Sequence, residues 1–180
     1  MTSDDDGKAR FASVVLPHLD DAYALARWIT GDRADAEDVV QEACLRAFRA
    51  IGAFGGSNAR AWTLTIVRNA AYTFLSKRRT TPLVAVGDLD DVERAQPHDC
   101  TGGRETPTPE TELIAKADAA RLEAAIATLP TPFRETLVLR DLQGLDYREI
   151  AEVTGVPIGT VMSRLARARR RLIETIGAER

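Results

Sequence analysis

The sequence of 180 residues holds two cysteines and two histidines, and neither type is grouped. His18 stands alone, and His98 has only Cys100 close by, which falls short of a metal-ligand set. Two cysteines are also too few for a disulfide framework; Cys44 falls in an apolar helical pattern and reads as a small core residue. No apolar run approaches the roughly eighteen residues of a membrane span. The opening MTSDDDGKAR lacks the basic-then-apolar layout of a secretory signal, so a cytoplasmic protein without membrane insertion is expected. Nucleophile elbows are absent, and Gly102-Gly103 lacks the strand and helix that a phosphate loop needs. No catalytic residue, metal or cofactor is therefore expected, and an enzyme is disfavoured.

Charge is present in quantity but sorted. The net charge of −3 argues against a protein that coats nucleic acid indiscriminately. Residues 60–79 nevertheless carry five basic side chains and no acid, and residues 156–173 carry five arginines and no acid. Between them, residues 80–112 hold eight acids against two arginines, together with Pro82, Pro97, Pro107 and Pro109. Two basic blocks around an acidic connector favour two separate phosphate contacts.

The hydrophobic pattern is helical in both halves. Leu16, Leu19, Tyr23, Ala26 and either Ile29 or Trp28 predict one amphipathic helix ended by Thr30-Gly31. A second is expected to start after Asp35 as N-cap, turning Val40, Cys44, Ala47 and Phe48 inward. A third follows the loop 52–58 and closes on Lys77-Arg78-Arg79. Periodicity then lapses over 80–112, a composition expected to behave as a flexible linker; extended, it reaches on the order of 100 Å, so the flanking units need not touch. Beyond it, Leu122, Ile126 and Leu129 form one inward stripe and Phe133 and Leu137 another.

The last two helical segments have a specific layout. In YREIAEVTGVPIGTVMSRLARARRRL, residues 147–172, a short helix is broken at Thr154-Gly155 and a second opens at Pro157. Val161, Leu165, Ala168, Leu172 and Ile176 recur at three- and four-residue steps and are expected to face the core. Thr160, Arg164, Arg167 and Arg171 repeat one residue earlier and are expected to form an exposed stripe beside it. A helix, a glycine turn and a cationic second helix are how proteins enter the major groove. Thr160, Met162, Ser163, Arg164 and Arg167 stand where base edges or nearby phosphates would lie, while Arg169, Arg170 and Arg171 suit the backbone. In residues 59–79, Arg60, Arg68, Lys77, Arg78 and Arg79 alternate with Trp62, Tyr72 and Phe74, a mixture suited to single-stranded DNA, although Trp62 shares a face with Ile66 and reads as a core residue ahead of a stacking one. The exposed side of residues 35–48 offers Asp38, Gln41, Glu42 and Leu45, either a partner surface or a solvated helix face.

These blocks resemble a family. DAEDVVQEACLRAF (35–48) and ARAWTLTIVRNAAYTFLSKRR (59–79) are similar to the minus-ten domain of bacterial extracytoplasmic-function sigma factors. LPTPFRETLVLRDLQGLDYREIAEVTGVPIGTVMSRLARARRRL (129–172) is similar to their minus-thirty-five domain. The resemblance implies an all-α protein of two small domains, each of about three to four helices, the second with a helix-turn-helix. Their bounds are 1–79 for the minus-ten and polymerase-binding unit, 80–112 for the linker and 113–180 for the minus-thirty-five unit. It implies promoter-specific initiation with core RNA polymerase, and an anti-sigma protein as controller. Asp38, Gln41, Glu42 and Leu45 would dock on the clamp of the largest polymerase subunit. Ser57, Asn58 and Arg60 would hold a flipped base, with Trp62, Arg68, Asn69, Tyr72, Lys77, Arg78 and Arg79 along the melted strand. Thr160, Met162, Ser163, Arg164, Arg167, Arg170 and Arg171 would read the upstream element. The alternatives are an ordinary helix-turn-helix regulator, which has no use for the first unit, and a mimic that titrates the anti-sigma protein, which has no need of the arginines.

Overall fold

The computed structural model describes residues 2–56, 58–80 and 109–178, and among these every regular element is helical. Helix α1 (Thr2–Val14) leads through a 3-10 turn (Leu16–His18) into α2 (Leu19–Thr30) and α3 (Arg33–Ala50). A second 3-10 turn (Ile51–Ala53) precedes α4 (Ala59–Thr80). The chain continues with α5 (Pro109–Ala127), α6 (Thr131–Leu137) with its π-helical extension (Val138–Leu142), α7 (Tyr147–Thr154) and α8 (Ile158–Ala178). The expected linker lies largely outside the described residues, but α5 opens at Pro109, ahead of the expected start at Leu113. Proline is suited to a first helical turn, where no N–H partner is required.

Local chemistry explains the boundaries, including those misjudged from sequence. The single helix expected through Leu16 is broken, because Pro17 sits in a 3-10 turn. Gly31 ends α2 at φ 80°, a left-handed conformation that glycine adopts without penalty. The cap of α3 is Asp32, not Asp35: its side chain accepts from the Asp35 N–H at 2.9 Å. Asp35 then sits in the first turn, where its charge complements the helix dipole.

α2, α3 and α4 pack mutually around Leu25, Ile29, Val39 and Leu64. The inward positions of α3 are Ala36, Val39, Ala43 and Ala47, mostly small, which lets α2 and α4 approach closely. Phe48, expected inward, is 38% exposed and meets the Phe11 ring edge-on at 5.6 Å. In the second unit Ala125, Ile126 and Leu129 are buried while Leu122, expected inward, is exposed. α8 is buried at Val161, Leu165 and Ala168, with Leu172 packed beside them; Ile176, expected in the core, is exposed because burial of the helix stops short of its last turns.

The two units do touch. α4 packs on α7, and α2 packs on α6 and the π-helical turn, so buried residues from Ala22 to Ala168 form one apolar cluster. A long connector permits separation without compelling it. Units this small gain burial by sharing a face.

Candidate nucleic-acid interface

Helix α4 turns Ala61, Leu64, Val67 and Ala71 into the core, and its adjacent polar face meets the second unit. Asn58 caps it, accepting from the Ala61 N–H at 2.9 Å, and its amide donates to Glu149 at 2.9 Å. Arg60 donates to Asp21 at 2.7 Å and to the Gln143 carbonyl at 2.7 Å, while the Gln143 amide donates to the Asp21 carbonyl at 2.7 Å. One turn pair further on, Arg68 grips Glu135 with two parallel bonds of 3.0 and 3.1 Å, and the Tyr72 hydroxyl donates to the same carboxylate at 2.9 Å. The guanidinium also lies 4.5 Å above the Tyr72 ring. Burial, and then the neighbouring carboxylate, push the Tyr72 phenol well above its ordinary range, which keeps it a donor.

Asn58, Arg60, Arg68 and Tyr72, expected on DNA, lie together on one seam against Asp21, Glu135, Gln143 and Glu149 of the chain itself. Asp21, Glu135, Gln143 and Glu149 were missed. Trp62 is half-buried with its ring 5.0 Å from Phe54, off the core stripe. It borders a cleft of about 710 Å³ whose other wall carries Asp146, Arg148, Glu149 and Glu152 of α7 and its cap. Asn69 and Lys77 are exposed, and Arg78 pairs with Asp35. Ser57 and the Arg79 side chain lie outside the described residues.

The helix-turn-helix is built by local rules. Asp146 accepts from the Arg148 and Glu149 N–H groups, and Glu149 reaches back to the Asp146 N–H at 2.8 Å, a reciprocal cap. Gly155 closes α7 at φ 68°, and the Pro157 carbonyl accepts from Thr160 and Val161 to start α8. Met162, Ser163, Arg167, Arg170 and Arg171 are exposed and Thr160 is half-buried. Arg164 departs from the expected stripe: it is 22% exposed and its Nη1 approaches Glu135 at 3.5 Å, drawn in by the buried carboxylate. That nitrogen makes no hydrogen bond. Arg169 is held by Asp141 at 2.6 and 3.2 Å, and Arg171 lies over the Phe133 ring at 5.1 Å.

On α3, Asp38, Gln41, Glu42 and Leu45 are all exposed, Leu45 by 53%. Arg46 donates to Glu42 at 2.8 Å and holds its carboxyl below the usual range. Cys44, half-buried beside this face, has its thiol pushed up by burial.

Residues 14–81 match the Sigma-70 region 2 family and residues 119–172 match the Sigma-70 region 4 family. The chain is 35% identical over 152 residues to the ECF RNA polymerase sigma-E factor of Haemophilus influenzae, covering 82% of this chain and 77% of that protein. It belongs to the ECF RNA polymerase sigma factors. It is also 32% identical over 171 residues to the ECF sigma factor SigE of Mycolicibacterium smegmatis, spanning 95% of this chain but 63% of that relative's length. Among solved structures, the sigma factor RpoE of Bartonella quintana, in complex with the anti-sigma factor NepR, matches with a TM-score of 0.71 and 28% identity, over 92% of this chain and 95% of that one. In this sigma factor the two family regions fall on the two packed units, and the seam between them gathers the polar face of region 2 against region 4. None of its described helices is long and apolar enough to cross a membrane.

Proposed function

We propose that this sigma factor joins core RNA polymerase and directs it to promoters, and that an anti-sigma protein holds it inactive until a signal releases it. Residues 1–79 serve as the unit for polymerase and the minus-ten element, and 113–180 as the unit for the minus-thirty-five element. Membership of the family carries this reading. The exposed Asp38, Gln41, Glu42 and Leu45 support docking on the polymerase, where carboxylates and an amide suit a basic, polar partner. Met162, Ser163, Arg167, Arg170 and Arg171, exposed on the second helix of the helix-turn-helix, support contact with duplex DNA. Asn58, Arg60, Trp62, Arg68, Asn69 and Tyr72 take the melted minus-ten strand, with Lys77, Arg78 and Arg79 on its backbone and Ser57 beside the flipped base. The likeness to RpoE as held by NepR supports control by an anti-sigma protein.

On this reading the protein performs no chemistry and acts in the cytoplasm, where the polymerase is. Run-off transcription with purified core polymerase and a pool of promoters tests it: transcripts must depend on adding this chain. A helix-turn-helix regulator or a titrating mimic leaves core polymerase unable to initiate, and that result overturns the proposal.

A further inference from the structure

Two apolar side chains stand exposed where the second helix of the helix-turn-helix begins. Ile158 is 42% and Met162 54% exposed, and a spacing of four residues places them on one side of α8. Scattered apolar side chains are ordinary on a surface, but this pair occupies the first turns, the part of a recognition helix that meets base edges. Their neighbours offer a base little polarity. Gly159 has no side chain, Thr160 is half-buried, and Ser163 donates its hydroxyl proton to the Thr160 carbonyl at 3.0 Å. Arg164 is drawn inward, its Nη1 3.5 Å from the buried Glu135 carboxylate, so the first fully exposed cation of α8 is Arg167. Guanine is read by cationic forks and adenine by amides, and the stretch from Ile158 to Ser163 holds neither. The major groove displays one apolar group, the C5-methyl of thymine. An apolar helix tip has that group alone as its complement.

We propose that Ile158 and Met162 form an apolar reader of thymine methyl groups, and that this sigma factor thereby prefers thymine at the positions of its upstream element that they face. This rests on the proposed function, since it names what the second helix of the helix-turn-helix recognises. Ile158 is β-branched and stiff at χ1, which gives the helix start one fixed shape; Met162 is unbranched and polarizable and fits itself to the neighbouring base step. Arg170, exposed further along, contacts the backbone, which fixes register and carries no base information. Covering a methyl group removes apolar surface from water, which corresponds to about a fourfold change in affinity.

The test uses the full chain in the presence of core polymerase. Duplexes are selected from a random pool by capture of the chain, and each thymine of the enriched upstream site is replaced in turn by uracil, which keeps every hydrogen-bonding group and lacks only the methyl. Replacement at one or two positions is expected to weaken binding about fourfold. In Ile158→Ala and Met162→Ala, with helical content unchanged by circular dichroism, the penalty at the matching position disappears, because the methyl has lost its partner. Met162→Leu, which keeps the apolar bulk, retains it. Equal affinity for thymine and uracil at every position overturns the reading, as does an enriched site without thymine, a pool in which nothing is enriched, or a penalty that both alanine variants keep. If Met162→Ala weakens association with core polymerase and leaves the penalty in place, the pair serves a protein contact and the reading falls. Run-off transcription separates the two proposals: initiation without a methyl penalty removes thymine reading alone, while a penalty without initiation removes the sigma reading alone.

Discussion

The two basic helices of this sigma factor carry similar charge and meet opposite surroundings. On α4, Arg60 and Arg68 are held by Asp21 and Glu135, whereas on α8 Arg167 and Arg170 stand exposed. Arg164 belongs to the exposed row by sequence and to the seam by position. A row of cations measures what a helix can bind; what packs over it decides when. As folded, the region 4 helix turns Arg167 and Arg170 to solvent, and the region 2 helix turns Arg60 and Arg68 to acids of the chain.

The largest effect tests whether the two units are really one body. Leu64 in the first unit and Leu145 in the second are both fully buried, and truncating either to alanine should cost about 2–5 kcal/mol. Because one apolar cluster spans both units, each substitution is expected to lower a single melting transition of the whole chain. Two calorimetric transitions, each moved by one substitution only, would dissolve the comparison. Next in size, Arg167→Ala should relax base preference in the upstream element by about 1–3 kcal/mol of discrimination, read by competition between promoter variants bound to holoenzyme. An even loss across sequences would reassign it to the backbone. Asp38→Ala or Gln41→Ala should weaken association with core polymerase by on the order of 1 kcal/mol with helical content unchanged. Unaltered affinity would leave α3 a solvated face. Smallest is Arg170→Ala, which should weaken DNA binding by a few fold, uniformly over sequences, and flatten the salt dependence by about one unit.

Much of this was legible in the residues, and the remainder was hidden for physical reasons. The stripe of Val161, Leu165 and Ala168 is legible because its helix is amphipathic over several turns. Asp32 was passed over as the cap of α3 because Asp35 and Asp38 repeat the same chemistry at three-residue steps, and only the hydrogen bond to the Asp35 N–H separates them. Phe48 is one step off the buried phase of α3, where alanines take the inward positions, and Leu122 shares the phase of Ile126 and Leu129 but precedes the stretch of α5 that is buried, which begins at Ala125. The seam was invisible. Glu135 reads in sequence as one more solvated acid, and its partner Arg68 lies 67 residues away across a segment without periodicity. Pairing across that separation is set by shared burial between units, which no local pattern records.

The π-helical turn after α6 has a consequence of its own. There the Gln143 N–H bonds to the Val138 carbonyl at 3.0 Å and Leu145 reaches Leu139 at 2.9 Å, a coil loosened to admit one residue more than an α-turn holds. Each residue of a helix advances the chain by about 100° of rotation, so the extra one steers the Gln143 carbonyl toward Arg60. Deleting a single position there would swing that acceptor away and misalign the seam while leaving every cation of both helices in place. How the halves fit is thus encoded in a length, and evolution can retune it by insertion or loss without editing a DNA contact.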